Sequence, residues 1–113
     1  MYSFEKVAKG VSEYLNNEIY KGMNDLQEVM ARIVVGRLLD NEENIKNALV
    51  NSGFVRTFGF VSEDGMVDVD GIAESLRKEI TKKGKMSISI PMLGKFTFTP
   101  EDVDVLHNYI RGA

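Results

Sequence analysis

The chain predicts an α+β domain in which four to five helices pack against a small antiparallel sheet, with a C-terminal β-hairpin over 86–98 and a terminal helix. Three observations carry that prediction. Through the first half of the 113 residues, apolar side chains recur at three- and four-residue steps, the period of an amphipathic helix. From Met86 to Phe98 the pattern switches to alternation. Met86, Ile88 and Ile90 are separated by Ser87 and Ser89, and Phe96 and Phe98 by Thr97, as in a strand with unlike faces. Thr99-Pro100-Glu101-Asp102 then announces a helix, with a capping hydroxyl, proline at the first helical position and an acid three residues on.

The first helix is expected from about Ser3 to Tyr20, with Phe4, Val7, Ala8, Val11, Tyr14, Leu15 and Ile19 on one stripe. Gly10 interrupts it at a cost of about 1 kcal/mol relative to alanine. A second helix begins at Asn24, whose side chain can cap while Gln27 reaches back. Leu26, Val29, Met30, Ile33, Val34 and Leu38 form its main face, and Ala31, Val35 and Leu39 make the rest of its circumference apolar as well. Such a helix is expected to be buried on more than one side, either at the centre of the fold or in a subunit contact. Glu42-Glu43 starts a third helix with favourable charge, and Asn51-Ser52-Gly53 closes it. Residues 54–61 fit either a short helix or a strand, and a helical turn ending at Gly59 is the expectation. Ser62-Glu63-Asp64-Gly65 suits a turn between Phe60-Val61 and Met66-Val67, and Asp70 is the expected cap of a fourth helix that Gly84 ends. Val103, Leu106, Tyr109 and Ile110 give the last helix its buried stripe.

With 43% hydrophobic and 27% charged residues the composition is that of an ordinary globular protein, read as one domain over 1–113. The net charge of −3 argues against a surface given over wholly to nucleic acid, while leaving room for a local basic patch. No cysteine is present, which excludes disulfides, thiolate metal sites and thiol nucleophiles. Charges at Glu5 and Lys6 stand where a secretion signal needs an apolar core, and the run Ile33-Val34-Val35 is far too short to span a bilayer. A cytoplasmic location and no membrane partner are the expectation.

Chemistry-bearing motifs are sparse. Setting Asp68, Asp70 and Gly71 in a calcium loop puts Met66 and Arg77 at its first and twelfth positions, where oxygen ligands are required, so a turn and a helix cap explain the acids better. Arg77, Lys78, Lys82, Lys83 and Lys85 form the one patch able to meet phosphate. Those cations also complement a helix C-terminus, and no aromatic side chain is interleaved with them, so a solvated face outweighs nucleic-acid binding. His107, the single histidine, has Asp104 and Asp102 as its neighbours on the helix and is expected to form an exposed pair. No serine lies in a nucleophile elbow, and neither a phosphate-binding nor a dinucleotide-binding glycine loop occurs. Catalysis, a cofactor and a small-molecule substrate are therefore not expected. Met30 and Met86 lie on apolar faces and read as core. Met92 and Leu93 occupy a hairpin tip, where an apolar pair suggests a contact point.

The segments Glu63-Asp64-Gly65-Met66-Val67-Asp68-Val69-Asp70, Ile88 to Phe98 and Glu101-Asp102-Val103-Asp104-Val105-Leu106 resemble small uncharacterised proteins encoded in prophage-like regions of Gram-positive bacteria. The resemblance covers roughly residues 60–110 and implies a phage or mobile-element context. It brings no functional residues. The resulting expectation is a non-enzymatic structural or assembly protein, acting through protein contacts or self-association at Ala31, Val35, Leu39, Met92 and Leu93. The alternative is a nucleic-acid-binding accessory protein using the 77–85 basic patch.

Overall fold

The N-terminus begins with a strand rather than a lead-in to the first helix. In the computed structural model, which describes residues 1–33, 42–53, 59–90 and 94–113, β1 (Tyr2–Ser3) pairs antiparallel with β2 (Met66–Val67). Ser3 ends the strand and caps α1 (Phe4–Tyr14), its hydroxyl accepting the Lys6 N–H at 3.1 Å. The rod continues through a π-helical turn, Leu15–Ile19, and a 3-10 turn, Tyr20–Gly22, so the helix expected over 3–20 is one piece with a widened stretch. Asn24 and Gln27 form the expected capping box at the start of α2 (Asp25–Ala31). The third helix, α3, spans Glu42–Asn51.

The turn at 62–65 is present. Val61 bridges Val67, Ser62 and Met66 exchange backbone and hydroxyl hydrogen bonds, and Gly65 takes φ 81°, which a side chain would resist. Helix α4 (Val69–Lys83) starts two residues earlier than Asp70 would place it. Its cap is Asp68, whose carboxylate accepts the Gly71 N–H at 3.0 Å. The Asp68 N–H donates to the Phe60 carbonyl at 2.7 Å, which holds Asp68 outside the helix and leaves Asp70 in the first turn. Gly84 closes α4 at φ 85°. Strands β3 (Met86–Ile90) and β4 (Gly94–Phe98) pair from Met86↔Phe98 to Ile90↔Gly94, and Thr99 with Asp102 forms a capping box on α5 (Pro100–Gly112). Among the described residues the fold is therefore α+β, with five helices, two two-stranded antiparallel sheets, the C-terminal hairpin and the terminal helix.

The central helix is α5, not α2. It packs against α1 on one side and α4 on the other. On the α1 side, Ile110 joins Phe4, Val7, Ala8, Val67 and Val69 in the main core. Gly10 is buried there against the α5 backbone. A Cβ added to it would lie 2.4 Å from the Ile110 Cα, so its glycine is a packing requirement and not merely an interruption. On the α4 side, Ala73, Ile80 and Val103 form a second cluster, with Leu76 and Phe98 packed on it.

Helix α2 corrects the expectation of an all-round buried helix. Ala31 is fully buried against Leu15 and Tyr20, so it serves this chain's own core and is not a surface contact. Leu26, Val29 and Ile33, expected on the main buried face, are 74%, 54% and 50% exposed. The physical reason is that α2 meets the rod through the one face carrying Ala31, which points the opposite stripe outward. Met86, expected in the core, is also exposed, because it stands at the open end of β3.

Candidate functional site

The largest apolar exposure on a described helical segment is the stripe of Leu26 and Val29 on α2 with Ile33 in the helical continuation just past its end. Successive residues of a helix turn by about 100°, so these three share one face while Ala31 lies nearly opposite. Along one edge of the stripe stand Asp25 near the start and Arg32 at the end. Arg32 is well anchored: its guanidinium lies 4.6 Å from the Tyr20 ring centre, donates to Asn16 at 2.9 Å and pairs with Glu28 at 3.3 Å. Val35, Leu39, Met92 and Leu93, the other expected contact residues, lie outside the described residues, as does the 54–58 part of the helical turn expected to end at Gly59.

The basic cluster divides. Arg77 pairs with Asp104 of α5 at 2.6 Å, and Lys78 with Glu74 one turn earlier at 3.3 Å. The first ties α4 to α5, and the second is an exposed pair within α4. Lys82, Lys83 and Lys85 are exposed, and among the described residues none is in an ion pair. His107 does not pair with Asp102 or Asp104. Its Nε2 lies 2.5 Å from the carboxylate of Asp70 in the first turn of α4, while Asp104 holds Arg77 and Asp102 caps α5. The His107 side chain is largely buried between the two helices, so it clamps α4 to α5 at the end opposite the Arg77 pair.

A cleft of about 120 Å³ lies between the π-helical turn, β4 and α5, lined by Tyr14, Glu18, Ile19, Phe96, Thr97, Phe98, Asp102 and Val105. Small-molecule sites usually enclose about 300–1,000 Å³, so this space suits a few waters at most. Both of its carboxylates are already engaged. Glu18 accepts from the Tyr109 hydroxyl at 2.8 Å, and Asp102 accepts from the Thr99 N–H at 2.9 Å. Burial, reinforced by the charges of Asp102 and Glu18, pushes the Tyr14 phenol up to about 12. The hydrogen bond to Glu18 likewise raises Tyr109 above its ordinary value. Both phenols thus stay protonated at neutral pH and neither is poised as a base.

Among the described residues no three of His, Asp and Glu stand together to hold a metal ion, and no helix is long and apolar enough to cross a membrane. The signal that sequence reasoning missed was the pairing of the charged groups, since Asp70 and His107 are far apart in the chain and carry no periodic mark of their contact. No family model, curated protein or solved structure matches the chain.

Proposed function

We propose that this protein is a non-enzymatic structural or assembly protein whose contact surface is the outer stripe of α2, and that its first partner is a second copy of itself. The observation that carries this reading is the coincidence of Leu26, Val29 and Ile33 on one exposed helical face. Fully burying side chains of this kind is worth about 1.5–3 kcal/mol each. A two-fold contact uses the same patch twice, so the gain doubles. Charge decides the orientation. Two α2 helices running antiparallel bring Asp25 of each copy near Arg32 of the other, and they also set the helix dipoles side by side and opposed. A parallel two-fold pair would put these edges on opposite sides of the contact, where Asp25 and Arg32 could not meet.

Light scattering over a rising range of protein concentration tests the proposal. The expected result is a mass moving from 12.7 kDa towards twice that value. The double substitution Leu26→Asp and Val29→Asp should hold the chain at the monomer mass with its circular dichroism unchanged, because both positions are exposed. A wild-type chain that stays monomeric throughout, or a folded double variant that still associates, contradicts the reading.

A further inference from the structure

The ribbon formed by β3 and β4 has two unlike faces. On one, Phe98 packs onto Ala73, Ile80 and Val103, and Phe96 lines the cleft beside Tyr14 and Ile19. The other carries Ser87, Ser89, Lys95 and Thr97, all exposed, with exposed Lys85 immediately before the strand on the same side by alternation. The register sets Ser87 opposite Thr97, their hydroxyl oxygens 3.5 Å apart, and Ser89 opposite Lys95. Hydroxyls therefore run along the middle of the face with a lysine towards each end. Lys85 and the Lys95 pairing position are four residues apart along β3, or about 13 Å at ~3.3 Å per residue. Lys82 and Lys83, at the end of α4, stand just before this face in the chain. No carboxylate belongs to the face, although the chain as a whole is at −3. Among the described residues none of the four lysines is in an ion pair.

We propose that this ribbon face binds duplex DNA without strong sequence preference, the ribbon entering the major groove. A two-stranded ribbon, its strands about 4.8 Å apart, fits lengthwise in the major groove, which is about 12 Å wide, with Lys85 on the β3 side towards one wall and Lys95 on the β4 side towards the other. The lysines then reach phosphates on the two walls while Ser87, Ser89 and Thr97 meet base edges, where hydroxyls accept either partner. Single strands are disfavoured because the aromatic side chains that would stack their bases, Phe96 and Phe98, are on the opposite face. Double-stranded RNA is disfavoured because its major groove is deep and narrow. The basic site thus moves from the 77–85 helix cluster to a set that drops Arg77 and Lys78, already paired, and gains Lys95. It lies apart from α2, so self-association and DNA binding are separate claims with separate readouts.

Fluorescence anisotropy of a labelled mixed-sequence duplex, about two helical turns long, titrated with the full chain between about 50 and 200 mM salt, tests this. Four lysines on phosphates predict a log–log salt slope of about −3.6. Lys85→Glu with Lys95→Glu should weaken binding at least about tenfold and lower the slope by about two, whereas Lys78→Gln should change affinity less than about threefold. Circular dichroism melting checks that these exposed substitutions leave the fold intact. No binding at the lowest salt, equal or tighter binding to the single strand, wild-type affinity in the folded double variant, or a preference for anionic phospholipid vesicles in the same buffer each overturns the proposal.

Discussion

Gly10 sets how closely α1 can approach α5. Since a Cβ there would lie within 3 Å of three Ile110 atoms, two of them backbone, Gly10→Ala is expected to cost about 1–3 kcal/mol, the range for overpacking a fitted interface. Urea denaturation reads this directly, and an unchanged midpoint would show that the helices can part without loss. The Tyr14 phenol works in a different direction. Its folded-state value of about 12 exceeds the ordinary 10.0, so the stability it contributes is fully present below about pH 10 and is lost as pH rises towards 12. Tyr14→Phe should therefore show a smaller fall in Tm between those two pH values than the wild type does, and an equal fall would mean that other groups set the alkaline limit. Thr99→Ala removes the cap hydroxyl of α5 and should cost about 1 kcal/mol in the same urea assay. At this scale the sequence was readable where the partner is three residues away, as at Asn24–Gln27 and Thr99–Asp102. It was silent on Gly10 against Ile110, Asp70 against His107 and Arg77 against Asp104, because those pairs depend on how whole helices pack.

Among the elements, the helices and the main hairpin were legible because each has its own period and its own end signals, while the Met86↔Phe98 register was not, since alternation fixes which residues share a face and not which residues pair. The short β1–β2 pairing was not, since two residues hold no period. The role of α2 was also misread. Periodicity reports that Leu26, Val29 and Ile33 share a face, but not whether anything covers it, and the structure turns the opposite face, with Ala31, to the core. The ribbon shows the same limit from the other side. Alternation marked its polar face, yet only the pairing of Arg77 and Lys78 elsewhere showed which cations remain for a ligand. Loss of duplex binding on Lys85→Glu with Lys95→Glu, with self-association intact, is the expected signature of a ribbon that acts on its own.

For the molecule as a whole, α5 is the organiser. It is clamped to α4 by the Arg77–Asp104 and Asp70–His107 pairs and to α1 by the Gly10 contact and the Tyr14–Tyr109 ring pair, whose centres are 6.0 Å apart. That frame leaves the outer stripe of α2 and the ribbon's polar face exposed, and it engages Glu18 and Asp102 of the cleft in internal hydrogen bonds. The central claim is the α2 contact, and the absence of cysteine from the chain makes it directly accessible. Val29→Cys, near the middle of the stripe, should form a disulfide-linked dimer under mild oxidation much faster than Val50→Cys on the exposed surface of α3. Equal rates of cross-linking at the two positions would contradict the account.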